Sequence, residues 1–397
     1  ALDLPNRRLQ VTQVIQLVNT SGDPWDEIVL AFLPAHQPGV VRLAQAEITT
    51  RRRRSEVTAT LDDIMLHLTA PEPLPPGEPL MITLIYDLRV PRIAPETWLP
   101  EGNLGIGEHV FQAGDWHPTL APYVDGEGWR TWRYHPVGDP VVYSAADYDV
   151  QITADPTVVI AAPGEVARDG VIRRYKLTAA RSFAFLASPD YKVMQGTAVG
   201  IPLHAYYLPD HGIAAQAAIE TAAQAVILYE AYYGPYPTTG LTIAQNAYWG
   251  SMEYSGLISL SDYAVRTYDG SPDHQLITLT AHEVAHQWWY GAVGNDQVRQ
   301  PWLDEAFAKY SEFLYYERYA PELTRWWWAT HVYRHDPAGP VDRTIYDFPN
   351  TPTYFNQLYG QAARFVADLR QQLGDDAFFA FLRAYQAEHA GSLVDSA

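Results

Sequence analysis

Two histidines and two glutamates in the second half of the chain have the spacing of a metal site. His282 and His286 are four residues apart, so a helix places both imidazoles on one face, one turn apart. Glu305 follows 19 residues after His286, far enough for a loop and a second helix to bring it back. Glu283 projects beside the histidines and can reach a water molecule on the cation without being a ligand. Two histidines and one glutamate form a zinc ligand set with a fourth position open for water, so we predict one zinc ion per chain.

The residues around this motif predict the two helices that the arrangement needs. Ser271-Pro272-Asp273 predicts the start of the first helix, with a capping serine, a proline in the first turn and an acid at the positive end of the dipole. Gly291 predicts its end, and Pro301 lies near the start of the second helix. Apolar side chains recur along both segments: Leu276, Ile277, Leu279, Val284, Ala285 and Trp288, then Leu303, Phe307, Tyr310 and Leu314. A lone H-E-x-x-H arises by chance on surface helices, whereas apolar flanks and a third ligand favour a metal site.

Three motifs of the chain resemble those of the M1 family of zinc aminopeptidases. They are His-Glu-Val-Ala-His-Gln-Trp-Trp at 282–289, Trp-Leu-Asp-Glu-Ala-Phe-Ala at 302–308, and Gly-Ser-Met-Glu-Tyr at 250–254. The last resembles the G-x-M-E-N signature of that family, with Tyr254 in place of asparagine. The resemblance extends over most of the chain, and Trp116-His117-Pro118 followed by Gly138-Asp139-Pro140 is similar to the amino-terminal domain of M1 enzymes.

The resemblance implies how a peptide substrate would be held. It implies that Glu253 binds the free α-amino group, so that only the first peptide bond reaches the metal. It also implies that the strand containing Gly250 and Met252 pairs with the peptide backbone as an added strand.

The resemblance further implies a tyrosine that donates a hydrogen bond to the tetrahedral oxyanion. M1 enzymes place this tyrosine at the start of a later helix, before a small residue. Tyr359 fits this pattern, with Ala362 three residues further on, so we predict that Tyr359 begins a helix and has this role. Tyr354, in the loop predicted before that helix, is the alternative.

Glu312 lies seven residues after Glu305, two turns along the same helical face. It is either a solvated acid or an acceptor for the second N–H of a ligand imidazole, outside the metal's own ligands. The resemblance favours the second interpretation.

The pattern of apolar residues predicts a multi-domain α and β protein. Residues 1–190 alternate short strand-like runs with turns, which predicts an all-β domain of sandwich or saddle form. Residues 191–397 contain long helical segments with short strands at Leu241–Gln245 and Leu257–Leu260. We therefore predict a mainly helical catalytic domain with a small mixed sheet, which the resemblance makes thermolysin-like.

Composition limits the partners and the location of the protein. The chain of 397 residues has 46 acids against 27 bases and a net charge of −19, which argues against nucleic acid and suits cationic ligands such as free amino termini. It has no cysteine, which excludes disulfides and thiolate zinc sites. No apolar run is long enough to predict a transmembrane segment, and no signal peptide is visible at Ala1. A cytoplasmic protein, or an exported one whose signal or anchor is absent from this sequence, is expected.

These observations together predict a zinc-dependent aminopeptidase that hydrolyses the N-terminal bond of peptides with a free amino terminus. Two alternatives stay open from the sequence. A zinc endopeptidase of related fold would not need Glu253. A non-catalytic peptide-binding scaffold would not need the zinc ligands, yet this chain has all three.

Overall fold

The N-terminal half of the protein is built of antiparallel sheets in a computed structural model that describes residues 1–97 and 100–396. The five-stranded sheet contains, in spatial order, Leu2–Asp3, Arg8–Val18, Pro79–Arg89, Val41–Thr50 and Arg54–Glu56. A four-stranded sheet contains Thr119–Leu120, Trp25–Ala31, Met65–Leu74 and Ala59–Asp62. Another contains Val159–Ala161, Phe185–Ser188, Phe111–Ala113 and Leu104–Ile106. Ala146–Thr153, Ile172–Ala180 and Glu165–Asp169 form a three-stranded sheet, and Tyr123–Val124 pairs with Gly128–Trp129.

The first two of these sheets pack face to face as a sandwich. Along Pro79–Arg89 every second side chain is buried, as expected for a strand with one face on a core. Ile82 of the five-stranded sheet and Ile28 and Leu66 of the four-stranded sheet share one core and are at most 1% exposed. The same core continues under the other four-stranded sheet and the three-stranded sheet.

The C-terminal half consists of helices around a four-stranded mixed sheet. The sheet contains Lys192–Ala198, Ile201–Tyr207, Leu241–Gln245 and Leu257–Leu260, with the first pair antiparallel and the others parallel. The helices are α1 (Gly212–Tyr233), α2 (Asp262–Arg266), α3 (Gln275–Ala285), α4 (Trp302–Tyr319), α5 (Thr324–Trp327), α6 (Thr351–Tyr354), α7 (Ala362–Leu373) and α8 (Asp375–His389). Shorter 3₁₀ turns occupy Leu33–His36, Pro321–Leu323, Tyr333–His335 and Ile345–Asp347, and π-helical turns occupy Trp328–Val332 and Phe355–Gln361. Gly294–Asn295 pairs with Leu393–Val394.

Helix packing places α3 and α4 at the centre of this half. Helix α1 lies on the first two strands of the mixed sheet and against α3, α3 packs on α4, and α4 packs on α7. The contact surfaces form one apolar core that includes Leu276, Val284 and Ala306, each fully buried. The fold class predicted from the sequence is confirmed, and the boundary proposed at residue 190 stays a prediction. No helix in the described part of the chain is long and apolar enough to cross a membrane.

The limits predicted for the first metal helix are wrong at both ends. Helix α3 begins at Gln275, because the ring Nδ1 of His274 accepts a hydrogen bond from the Leu276 N–H at 3.1 Å and caps it. The helix ends at Ala285 rather than near Gly291. The His286 N–H still bonds to the His282 carbonyl at 3.3 Å, so the one-turn relation of the two imidazoles is kept.

The prediction that Tyr359 begins a helix is also wrong. The chain is helical from Thr351, through the π-helical turns at Phe355–Gln361, into α7. Tyr354 is the last residue of α6, not part of a loop, and Tyr359 lies inside the π-helical segment. Asn350 caps this run by accepting a hydrogen bond from the Thr353 N–H at 2.9 Å. Such π-helical turns change the direction of side chains and are frequent at functional sites.

A buried arginine, Arg181, connects the two halves of the chain by hydrogen bonds to backbone carbonyls. The guanidinium of Arg181 donates hydrogen bonds to the carbonyls of Tyr143 at 3.0 Å, Tyr290 at 2.5 Å, Ala292 at 3.0 Å and Ser392 at 2.6 Å. Burial lowers its pKa to about 10. Tyr290 has a φ of 110°, a costly conformation for a bulky residue, and the bond from Arg181 holds its carbonyl in place.

Candidate metal centre and active site

The structure brings His282, His286 and Glu305 together where α3 and α4 pack. Their exposed fractions are 5%, 1% and 4%. The two Nε2 atoms are 3.1 Å apart, and Glu305 Oε2 lies 3.3 Å from His282 Nε2 and 3.6 Å from His286 Nε2. Three ligand atoms of a tetrahedral zinc ion at about 2.0–2.1 Å would lie roughly 3.3 Å from one another. The separations observed here therefore fit a zinc ion.

A hydrogen bond of His286 Nδ1 and a close contact of His282 Nδ1 turn both Nε2 lone pairs toward the same point. His286 Nδ1 donates to the Trp289 carbonyl at 2.8 Å, and His282 Nδ1 lies 2.9 Å from Glu312 Oε1. Glu305 Oε2 is buried and accepts no hydrogen bond from any residue that the structure describes. Three acceptors that face one another in a buried site repel, unless a cation lies between them.

The carboxylate of Glu312 is fully buried and bonded on both oxygens. Besides His282, it accepts hydrogen bonds from Lys309 Nζ at 3.0 and 2.8 Å and from Trp327 Nε1 at 2.9 Å. Although burial raises its pKa, the charge of Lys309 and the hydrogen bond from His282 lower it to about 2. The carboxylate is therefore ionised, and it sets the orientation of the His282 ring.

The same contacts determine the charge of the metal-ligand side chains. Burial lowers the pKa of His282, but the neighbouring carboxylates of Glu305 and Glu312 outweigh it and raise the value to about 9. Burial raises the pKa of Glu305, and the two imidazoles lower it below its ordinary value. A divalent cation bound here would take the place of the imidazolium protons, because histidine binds metals in its neutral form.

Glu283 lies in the same site with one oxygen free. It is 4% exposed, and its Oε2 accepts no hydrogen bond from the described part of the chain. Burial raises its pKa to about 8, with the charge of His282 opposing the shift and that of Glu253 adding to it. A carboxylate with a raised pKa beside a metal site can accept a proton and release it again.

Glu253 is placed next to the metal ligands by the segment before the last strand of the mixed sheet. Its carboxylate, His286 and Asp304 have ligand atoms within 4.8 Å of one another, and all three are buried. Gln297 Nε2 donates to Glu253 Oε1 at 3.4 Å, and burial raises the pKa of this carboxyl. The position beside the metal site is thus occupied by an acid with one long hydrogen bond.

The other two residues expected to hold a substrate lie on the same segment. Met252 exchanges two backbone hydrogen bonds with Ser259, each of 2.9 Å, and the Gly250 carbonyl accepts from Asn246 Nδ2 at 2.7 Å. Met252 thus forms an isolated antiparallel bridge with Ser259 of the last strand of the mixed sheet.

Tyr359 reaches the metal ligands, and Tyr354 lies behind it. The Tyr359 hydroxyl donates a hydrogen bond to Glu305 Oε1, and its ring lies 5.8 Å from the His282 ring at an interplanar angle of 22°. The Tyr354 ring is 6.1 Å from that of Tyr359, and its hydroxyl has no hydrogen-bond partner among the described residues. Of the two candidates, Tyr359 has the contact with the metal site.

Sequence reasoning missed several groups that support this site. Asp304 accepts hydrogen bonds from Asn295 Nδ2 at 3.1 Å, Gln297 Nε2 at 2.9 Å and the Glu305 N–H at 2.9 Å, which fixes the start of α4. Lys309 was missed as the ion-pair partner of Glu312, although its three-residue separation on a helix is a recognisable signal. No sequence pattern predicts the bond from Trp327 to Glu312, because the two residues lie on separate helices, α5 and α4.

Together, these side chains form a buried cluster that could hold one metal ion, with an acid beside it, which is the arrangement expected of a zinc hydrolase. Residues 217–396 match the peptidase family M1 domain. This match confirms the resemblance that the motifs indicated and locates it in residues 217–396.

Known proteins similar to this chain include two aminopeptidases and, in fold, an M1 zinc metallopeptidase. The human endoplasmic reticulum aminopeptidase 1 is 29% identical over 223 residues, which are 52% of this chain and 24% of that protein. Aminopeptidase N of Lactobacillus helveticus is 24% identical over 260 residues, which are 61% of this chain and 30% of that protein. The chain spans about a quarter of the length of the first of these relatives. A crystal structure of an M1 zinc metallopeptidase from Deinococcus radiodurans superposes with a TM-score of 0.68 at 18% identity, over 98% of this chain and 84% of that one.

Removal of Glu312 should weaken zinc binding without removing a ligand. We expect Glu312→Ala to raise the dissociation constant for zinc by roughly 10–100-fold, because the His282 ring loses its orienting acceptor. Wild-type protein should take up one zinc ion per chain, and competition with a chromogenic chelator measures the change. Glu317→Ala on the same helix, which removes a surface partner of Arg370, is the matched control and should bind zinc like the wild type. An unchanged affinity in Glu312→Ala would contradict the orienting role.

Proposed function

We propose that this protein is a zinc-dependent aminopeptidase that removes the first residue of peptides with a free amino terminus. The observation that carries the proposal is the position of Glu253, whose buried carboxylate shares a cluster with His286 and Asp304 within 4.8 Å. An ammonium group bound by this acid would set a fixed distance between the peptide terminus and the metal. Only the first peptide bond would then reach the site of hydrolysis.

His282, His286 and Glu305 would hold the zinc ion, which supplies Lewis-acid chemistry to the site when bound. Glu283 accepts a proton from the attacking water and then gives it to the nitrogen of the departing peptide. This assignment is supported by its free Oε2 atom and by the raised pKa that burial produces.

Tyr359 would donate its hydroxyl hydrogen to the oxygen on which negative charge develops. The bond that it makes to Glu305 supports this role, because it holds the phenol beside the metal ligands. The extended segment from Gly250 to Glu253 would pair with the peptide backbone as an added strand.

The relatives are consistent with this substrate class. Several similar proteins are named aminopeptidases, and a mutant of the Deinococcus radiodurans protein has been crystallised with a Tyr-Ser-Ala substrate. A mutant of a two-domain M1 zinc metallopeptidase has been crystallised with L-arginine. The activity of this chain is a proposal, because the chain covers only part of the length of those relatives.

Acetylation of the substrate amine is the direct test. We expect the N-acetyl form of an aminoacyl fluorogenic amide to be cleaved with a kcat/KM at least roughly 10–100-fold lower than the free form. That ratio corresponds to the loss of one hydrogen bond to a charged group, about 1.5–3 kcal/mol. Glu253→Gln should reduce the difference by raising KM for the free form. Equal cleavage of both forms by the wild type would indicate an endopeptidase of related fold.

A further inference from the structure

Tyr254 is the residue at which the substrate segment, residues 250–254, departs from the G-x-M-E-N signature, and it directly follows Glu253. Its side chain is 2% exposed, and its hydroxyl has no hydrogen-bond partner among the described residues. A buried hydroxyl without a partner costs free energy. The tyrosine therefore stabilises the protein through the packing of its ring, and the neighbours of the ring indicate what it holds in place.

The ring of Tyr254 lies against the backbone of Gly114 in the N-terminal half. A Cβ atom at Gly114 would overlap both the Tyr254 hydroxyl oxygen and the ring carbon that carries it. A residue larger than glycine therefore does not fit at position 114 while the ring is in place. Gly114 is itself fixed, because its N–H donates a hydrogen bond to the Asn103 carbonyl at 2.7 Å.

The residues just before the substrate segment have the same kind of contact with the N-terminal half. A Cβ atom at Gly102 would lie 2.6–2.9 Å from ring carbons of Tyr248, and one at Gly107 would lie 2.6 Å from the Ala247 Cβ atom. The Tyr248 hydroxyl donates to Asn103 Oδ1 at 3.1 Å. Glycines of the N-terminal half therefore lie against both ends of the substrate segment, and a tyrosine ring occupies the space beside the glycine at each end.

The backbone of Tyr254 connects the substrate segment to the chain after α3. Its carbonyl accepts hydrogen bonds from Gln287 Nε2 at 3.3 Å and from the Leu257 N–H at 2.9 Å. Gln287 directly follows His286 of the metal site, and its Oε1 accepts a hydrogen bond from the Gly256 N–H at 2.8 Å. Tyr254 thus contacts the N-terminal half with its ring and the end of the metal helix with its carbonyl.

We propose that Tyr254 is a positioning residue whose ring, seated against Gly114, sets the place of Glu253 relative to the metal site. Glu253 is the adjacent residue, so a shift of the ring away from Gly114 would move the Glu253 carboxylate relative to His286. Misplacement of a substrate-binding group by about 1 Å costs roughly 10²-fold in rate. Tyr254 acts through Glu253 and does not touch the substrate. This inference rests on the proposed aminopeptidase function and adds to it a contact between the two halves of the chain.

The test is a double-mutant cycle with Gly114→Ala and Tyr254→Leu. Inhibition constants of 3-phenylpropanamide and of L-phenylalaninamide, which differ in the amino group, are measured with zinc-loaded protein, and the first constant is divided by the second. We expect each single variant to lower this ratio by roughly 10-fold, and KM for an aminoacyl substrate to rise more than kcat falls. The double variant should recover most of the ratio, because the added methyl group takes the place of the removed ring atoms, whereas independent effects would multiply to roughly 100-fold.

Gly105→Ala is the matched control, because it adds the same methyl group to the same sheet of the N-terminal half. Its Cβ atom would lie 2.5 Å from the Ile93 side chain, away from the substrate segment. This variant should unfold at a lower temperature than the wild type and keep the wild-type ratio. The conservative variant Tyr254→Phe retains the ring and loses only the unbonded hydroxyl, so it should restore the ratio that Tyr254→Leu loses.

A wild-type ratio in folded, zinc-loaded Gly114→Ala and Tyr254→Leu proteins overturns the role of Tyr254 and leaves the proposed function intact. Losses that multiply in the double variant also overturn it, because the two residues would then act independently. If Gly114→Ala does not fold, the ratios of Tyr254→Leu and Tyr254→Phe decide: a lowered ratio in the first and a wild-type ratio in the second support the role, and equal ratios overturn it. A wild-type protein that binds both inhibitors equally contradicts the proposed function itself, and this inference with it.

Discussion

Glu283→Gln should lower kcat by roughly 10²–10⁴-fold, the contribution of a positioned general base and acid. Glutamine has nearly the same shape as glutamate, but it cannot accept the proton of the attacking water. Glu283 is not one of the three metal ligands, so the variant should still bind one zinc ion per chain. The measurement is kcat at saturating substrate, with the zinc content of the same sample determined by metal analysis.

Glu253→Gln is the informative comparison for this variant, since it removes a buried carboxylate from the same site. We expect Glu253→Gln to act mainly on KM, because it loses binding of the amino group, and Glu283→Gln to act mainly on kcat. Retention of wild-type kcat by a zinc-loaded Glu283→Gln protein would require another residue to accept the proton.

Tyr359→Phe should lower kcat by roughly 10²–10³-fold, the usual effect of removing one oxyanion donor. The substitution removes one hydroxyl and keeps the ring, so the packing against His282 is preserved. KM should change little, because the hydroxyl matters most once charge has formed on the oxygen. The measurement is kcat of the variant and of the wild type at saturating substrate.

Tyr354→Phe is the matched control for the tyrosine assignment. Its hydroxyl has no hydrogen-bond partner among the described residues and lies behind Tyr359, so its loss should leave kcat within a few-fold of the wild type. A large loss in Tyr354→Phe and none in Tyr359→Phe would transfer the oxyanion role to Tyr354.

The metal ligands could be predicted because their relation is local. A separation of four residues on a helix fixes the distance between two imidazoles whatever the rest of the chain does. The third ligand needed one assumption, that a second helix packs on the first, and the apolar spacing along Trp302–Tyr319 supported it. The helix limits were less predictable, because His274 provided a cap that competed with Ser271.

Local spacing did not predict the backbone conformation around Tyr359. Its place in the sequence suggested the start of a helix, whereas Tyr359 lies within π-helical turns after a helix that begins at Thr351. The capping bond of Asn350 starts the helix at Thr351, eight residues before Tyr359. Sequence periodicity does not distinguish a π-helical turn from an α-helical one, because the difference is a single residue per turn.

By itself, the sequence determined the residues proposed for the chemistry: two imidazoles and a glutamate as metal ligands, a glutamate as general base, and the presence of the helices that carry them. These features depend on residue types and on spacing within single helices. Only the tertiary structure decided that Glu253 approaches the metal ligands, that Lys309 and Trp327 fix Glu312, and that Arg181 holds the chain after α3. Each of these contacts joins segments distant in the chain, and side-chain burial and hydrogen bonding select such pairs only after the sheets and helices have packed.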